Sequence, residues 1–133
     1  MINVKNAVRK VIQRLTHNQD TENRVVYMLN DDNAVRKIIQ LLIDNQDTEI
    51  KRIRVPIDGT ENEAILSFVP TDRKEEKWEY SVAVKRYGTD VLVNHFLKFG
   101  SKSEVLAYMQ SEKAVAETMS SIEKLNEYTN EHN

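Results

Sequence analysis

Basic and aromatic side chains occur in two short stretches of the sequence that could together bind an anion. Lys51, Arg52 and Arg54 fall in one predicted strand, and Lys85 and Tyr87 fall at the end of another. Guanidinium and ammonium groups donate charge-assisted hydrogen bonds to phosphate or carboxylate, and a tyrosine ring can stack on a nucleobase. These five residues are therefore a candidate site for a small anion or nucleic acid. The alternative is an ordinary solvated sheet face, which the net charge of −2 favours.

The three histidines show no pattern typical of catalysis or metal binding. His17, His95 and His132 lie at a predicted helix end, in a strand and in the polar tail. The chain has no cysteine, so it has no thiolate nucleophile, no thiolate metal ligand and no disulfide. We therefore expect no enzymatic activity, no metal and no cofactor. An unrecognised catalytic site around His95 is the enzymatic alternative to this interpretation.

Other signatures of metal or nucleotide chemistry are missing from the sequence. The acidic pairs lack the spacing of a calcium loop, and no serine lies in a G-x-S-x-G motif. The three glycines, Gly59, Gly88 and Gly100, are too far apart to form a phosphate-binding loop. The sequence therefore favours a binding protein over an enzyme.

The elements that must position the basic residues begin with a segment that occurs twice. Residues 6–22 and 33–49 differ at four of 17 aligned positions, so 13 are identical. In the second copy, Val35, Ile38 and Leu42 recur at helical spacing, which predicts an amphipathic helix in each copy. The second copy is the more apolar, so we expect its helix to lie deeper in the core. The duplication defines architecture and does not identify an activity.

Alternating apolar and polar residues predict the strands of an antiparallel meander. The predicted strands cover residues 24–29, 50–57, 64–69, 78–85 and 91–99. The first could occupy a sheet edge, and Pro56 places the second at an edge or strand end because proline cannot donate to a ladder. Residues 91–99 also fit a helix capped by Thr89 or Asp90, and we prefer the strand because it completes the meander.

A long helical segment is predicted after Gly100. Ser101 and Glu104 have the S-x-x-E form of a capping box, and Ser111 could cap a second helix within the segment. Its apolar residues include Val105, Met119 and Ile122, which could form the seam of a homodimer. Packing of the same stripe on the sheet is the alternative.

The whole sequence therefore predicts one α+β domain over residues 1–133. Two N-terminal helices from the duplication and a long C-terminal helix cover an antiparallel β-meander. We find no membrane span or leader pattern, and we expect a cytoplasmic location. The asparagine-rich, internally duplicated sequence suits a phage or mobile element. Our functional hypothesis is a small interaction protein that binds and inhibits a host protein. The alternative hypothesis is a binder of a small anion or nucleic acid.

Overall fold

The computed structural model describes residues 32–72 and 77–132, except for the side chain of Asp72. Three helices and four strands follow one another along this part of the chain. In chain order they are α1 (Asp32–Asp44), β1 (Arg52–Pro56), β2 (Asn62–Asp72), β3 (Lys77–Arg86), β4 (Val93–Ser101), α2 (Lys102–Met109) and α3 (Glu112–Glu131). The predicted α+β class and the long C-terminal helix are confirmed. The first copy of the duplicated segment and the predicted strand 24–29 lie outside the described residues.

The four strands form one antiparallel sheet in the order β1-β2-β3-β4, so each strand pairs with its neighbour in sequence. This arrangement is the predicted meander. Gly59, between β1 and β2, has a φ of 79°, a backbone conformation that glycine adopts without a steric penalty. A register shift between Tyr80 and Ser81 on β3 places Leu97 of β4 in a bulge. β1 and β4 are the two edges of the sheet within the described residues.

The second copy of the duplicated segment forms α1, as its apolar spacing predicts. The side chains that recur at helical spacing are all buried: Ala34, Val35, Ile38, Ile39, Leu42 and Ile43. They belong to the same core cluster as Ile53 and Val55 of β1. Asp32 in the first turn places a carboxylate near the positive end of the helix dipole. The apolar face of α1 therefore packs on one face of the sheet.

Ser101 ends β4 and begins α2 through the predicted capping box. The Glu104 amide donates to the Ser101 hydroxyl at 3.2 Å, and the Ser101 amide donates to a Glu104 carboxylate oxygen at 2.8 Å. A Cβ at Gly100 would lie 2.6 Å from that carboxylate oxygen, so a larger residue there would displace the Glu104 side chain from the capping box. Ser111 then caps α3, which confirms the predicted division of the segment into two helices. Residues 91–99 contain the start of β4 and form no helix.

The predicted dimer seam on the C-terminal helices is corrected by the burial of its residues. Val105 and Ile122 are buried in the core cluster of the single chain, and Met119 packs against that cluster partly buried. Val105 and Ile122 are therefore out of reach of a second copy while the fold is intact, whereas Met119 keeps part of its surface exposed. The alternative, packing on the sheet, is the arrangement observed.

Candidate functional site

The sheet has two unlike faces because successive side chains of a strand point to opposite sides. The inner face carries Ile53, Leu66, Tyr80 and Val82, which are in the core cluster together with residues of all three helices. The other face, here named the outer face, has no helix over it among residues 32–72 and 77–132. The central residues of the outer face are nevertheless buried, since Ser67 is 8% and Ala83 4% exposed. A ligand would therefore meet mainly the exposed side chains of Arg52, Arg54 and Phe96.

Strand register arranges the outer-face residues in rows that run across the sheet. One row consists of Arg52, Ser67, Ser81 and Phe96, and the next consists of Arg54, Ile65, Ala83 and Asn94. In both rows an arginine stands on β1, and most of the side chains on β2 and β3 are small. The rows therefore form a floor of short side chains between a cationic wall on β1 and a wall on β4.

A groove with a volume of about 460 Å³ lies between these walls. Arg52, Arg54 and Lys85 line it, and so do Leu92 and Phe96 near β4. The Phe96 side chain is 61% exposed, although phenylalanine side chains are more often buried. Phe99, one row further along β4, is also exposed, and the Lys77 ammonium lies 5.9 Å from its ring centre. The groove thus combines cationic, small polar and exposed apolar surface.

A buried glutamate partly neutralises the cations of the groove. A carboxylate oxygen of Glu63 lies 3.7 Å from Arg54 Nη1 and 3.8 Å from Lys85 Nζ. Lys85 Nζ also donates to the Thr89 carbonyl at 2.9 Å. The Arg54 side chain remains 65% exposed, whereas that of Lys85 is only 15% exposed. The arginines are therefore more available to a ligand than the lysine is.

The structure brings together three of the five basic and aromatic residues that the sequence singled out. Arg52, Arg54 and Lys85 line the groove. Lys51 points to the helical side instead, because its Nζ donates to the Gln46 carbonyl at 2.6 Å and lies 5.4 Å from the Trp78 ring centre. Tyr87 is exposed in the turn after β3 and does not line the groove. The predicted cluster of five is therefore corrected to a cluster of three.

Sequence reasoning missed the apolar side of the groove and its buried carboxylate. Alternation in the predicted strand places Phe96 on the face opposite to His95 and Leu97, and the sequence alone does not connect it with the basic residues. In the structure Phe96 pairs with Ser81 of β3, and this pairing places Phe96 on the outer face. Glu63 lies just before the predicted strand 64–69, whereas in the structure it is buried within β2.

His95 lies on the inner side of β4, where its ring contacts α3. Its Nδ1 is 2.7 Å from the Ser121 hydroxyl. Ser121 is buried, so its hydroxyl cannot reach a substrate, and the contact fixes β4 against α3. Within the described residues, no group of three or more His, Asp or Glu side chains could hold a metal ion.

No family model, curated protein or solved structure matches this chain. The groove must therefore be interpreted from its own residues. Among the helices that the structure describes, none is long and apolar enough to cross a membrane.

Proposed function

We propose that this chain is a non-enzymatic binding protein that holds a segment of a partner protein in the outer-face groove. The observation that carries the proposal is the mixed lining of the groove, where Arg52 and Arg54 face exposed Phe96 across a floor of short side chains. Exposed apolar surface rimmed by polar groups is typical of protein-binding sites, and aromatic residues and arginine are enriched in them. If the gene lies on a phage or mobile element, the partner is a host protein. Binding of its segment in the groove would inhibit that host protein.

The charge of the outer face favours a protein segment over nucleic acid. Arg52, Arg54 and Lys85 are opposed on the same face by Glu79, Asp90 and the buried Glu63. Nucleic acid carries one negative charge per phosphate, so its binding sites need an excess of cations. A protein segment that brings both apolar and acidic side chains meets this surface without such an excess.

Binding of a small anion or nucleic acid is the second candidate function. It is supported by the two arginines that project from alternate positions of β1 and by the exposure of Arg54. Arginine forms paired hydrogen bonds to phosphate and can stack on a base. Since only three cations face the groove, we rank this function below protein binding.

A photocrosslinking experiment tests the proposed function. A photoreactive phenylalanine analogue replaces Phe96 in the groove, and in a matched control it replaces Tyr128, which is exposed on α3. After irradiation in the cells that carry the gene, we expect a protein adduct from position 96 and none from position 128. Introducing Arg52→Glu and Arg54→Glu into the position 96 protein should reduce that adduct at least tenfold.

Two results would contradict the proposal. Adducts that appear equally at both positions, or at neither, would show that the groove is not the binding surface. A position 96 adduct that nuclease removes and protease does not would establish the nucleic-acid alternative.

A further inference from the structure

We infer that the surface covered by α1 is a helix-binding site that either copy of the duplicated segment can fill, one copy at a time. This surface, here named the α1 site, is formed by β1, β2, α2 and α3. In the structure the second copy fills it, and the first copy has the residues needed to replace the second. The α1 site lies on the inner side of the sheet, so the inference is independent of the outer-face groove. Residues 6–22 lie outside the described residues and are compared with α1 by sequence.

The apolar residues that fill the α1 site recur in the first copy. α1 buries six side chains, and four of their counterparts 27 positions earlier are identical. The identical pairs are Ala34 with Ala7, Val35 with Val8, Ile39 with Ile12, and Leu42 with Leu15. Val11 stands in place of Ile38 and is one methylene smaller, which is among the mildest changes in a core. A helix formed by the first copy would therefore present nearly the same apolar face to the sheet.

The ion pairs that orient α1 also use residues shared by the two copies. Arg36 pairs with Glu112 of α3 at 2.5 Å, and a carboxylate oxygen of Asp47 lies 3.7 Å from Lys102 Nζ of α2. The first copy has the same residue types at the two positions, Arg9 and Asp20. Exposed ion pairs contribute little to stability. They do favour one register, because a helix that entered the site in another register would lose both pairs.

The turn after α1 is formed by residues that the two copies share. Asn45 and Gln46 donate their side-chain amides to two backbone carbonyls in the last turn of α1, at 2.8 and 3.0 Å. The Gln46 carbonyl accepts from Lys51 Nζ just before β1, which joins the turn to the sheet. Because the acceptors of the amides are backbone carbonyls, Asn18 and Gln19 can make the same bonds beside different side chains. The first copy can therefore end in the same turn.

The connectivity of the chain permits the exchange. Ile50 alone separates Glu49, the last residue of the second copy, from Lys51. With the first copy in the α1 site, residues 23–50 would form the connection from Glu22 to Lys51. The entropic cost of closing a loop rises only with the logarithm of its length. The longer connection therefore disfavours the exchange without preventing it.

Two differences between the copies favour the second copy as the occupant. Ile43 is buried, and its counterpart is Thr16, whose hydroxyl would need a hydrogen-bond partner in the core. Asp32 lies near the positive end of the helix dipole, where the first copy is preceded by Lys5. The chain thus prefers the observed occupant, and weakening the second copy should shift the population towards the first.

The first test weakens the second copy in the full chain. Leu42→Asp places a carboxylate in the core, whereas exchange brings Leu15 to the same position and removes the carboxylate from it. We expect Leu42→Asp to stay folded, Leu15→Asp to behave as wild type, and the double variant to unfold. Without urea, the unfolded population of Leu42→Asp should be at least tenfold below that of the double variant. A Leu42→Asp chain as unfolded as the double variant would overturn the inference.

Tryptophan fluorescence during a urea titration measures these populations. Trp78 is the only tryptophan in the sequence, and its ring centre lies 4.7 Å from that of Phe68. Lys51 Nζ, which is held by the turn after α1, lies 5.4 Å from the same indole ring. The emission of Trp78 therefore reports whether the sheet and the adjoining turn are folded.

Crosslinking identifies which copy fills the site. The chain has no cysteine, so two introduced cysteines are its only thiols. A short bismaleimide should join Asp47→Cys to Lys102→Cys, because these side chains are neighbours in the structure. When Leu42→Asp is added, the yield of this crosslink should fall at least tenfold, and that of Asp20→Cys with Lys102→Cys should rise at least tenfold. Asp20→Cys with Lys124→Cys, in the C-terminal half of α3, is the matched control for chance encounters.

The crosslinks decide the inference even where the stability data agree with it. A crosslink between positions 20 and 102 that does not exceed the control would overturn the exchange, although Leu42→Asp stays folded. A crosslinked product of twice the chain mass would put the first copy of one chain in the site of another, and would overturn exchange within one chain. Neither test changes Arg52, Arg54 or Phe96, so failure of the exchange would leave the proposed function of the groove unaffected.

Discussion

The hydroxyl groups of Tyr80 and Thr118 lie 2.8 Å apart in the interior and join β3 to α3. Both side chains are fully buried. Burial raises the pKa of the Tyr80 phenol strongly, because the phenolate would have to form away from water, and the hydrogen bond to Thr118 offsets only part of this effect. Burial therefore keeps Tyr80 protonated, which has a consequence for stability in alkali.

We expect the chain to lose stability as the pH rises above about 10, the usual pKa of tyrosine in an unfolded chain. The folded pKa of Tyr80 is raised, so its contribution is fully present below the unfolded pKa and is lost as the pH rises towards the folded pKa. Tyr80→Phe should cost about 1 kcal/mol at pH 8 and should make stability less dependent on pH above 10. Urea unfolding at pH 8 and pH 10.5 measures both effects. Tyr128→Phe, at an exposed position, is the control, and an equal change of pH dependence in that variant would contradict the assignment.

Ile122→Asp should unfold the chain and should not merely dissociate an oligomer. Ile122 is 4% exposed in the core cluster, so an aspartate there would place a carboxylate among apolar side chains. We expect a loss of about 4 kcal/mol or more in the free energy of unfolding. Lys124→Asp, exposed on the same helix, should change stability little. Circular dichroism reports whether the variant is folded, and light scattering reports its mass. If wild type were a dimer and the Ile122→Asp variant a folded monomer, Ile122 would belong to a dimer interface and the prediction would be wrong.

Leu42→Ala should cost about 2–5 kcal/mol, because the leucine is 1% exposed and its loss leaves a cavity between α1 and the sheet. Leu15 occupies the same position in the first copy of the duplication and lies outside the described residues. From the less apolar sequence around it, we predict a smaller cost for Leu15→Ala. Denaturant unfolding measures the loss of unfolding free energy in each variant. An equal or larger loss for Leu15→Ala would contradict the prediction that the second copy lies deeper in the core.

Glu104→Gln should reduce the stability gained between acid and neutral pH. Hydrogen bonds from the Ser101 amide and hydroxyl lower the pKa of the Glu104 carboxyl in the folded chain. Because the folded pKa is depressed, its contribution is present above the unfolded pKa of about 4.3 and is lost as the pH falls through the folded value. Thermal melts at pH 7 and pH 3 measure the difference. Glu123→Gln, exposed on α3, serves as the comparison and should leave the pH dependence as in wild type.

The sequence by itself determined the elements whose signals are short-range. The apolar spacing of Val35, Ile38 and Leu42 predicted α1, and Ser101 with Glu104 predicted the start of α2. Each of these signals depends on residues three to seven positions apart, whose geometry a helix fixes locally. Alternation also predicted the strands, although it left 91–99 open between strand and helix.

Only the tertiary structure decided which faces are buried and which residues meet. The stripe containing Val105 and Ile122 has the same pattern whether it packs on the sheet or on a second copy, so the sequence could not choose between core and seam. Arg52 and Phe96 share a row because three strand registers align them, and no local pattern records a register. Lys51 does not line the groove, because its side chain lies on the other side of the sheet against Trp78 and the turn after α1. No local pattern records this contact either. Burial and pairing are set by contacts between distant residues, whereas spacing along the chain describes only near ones.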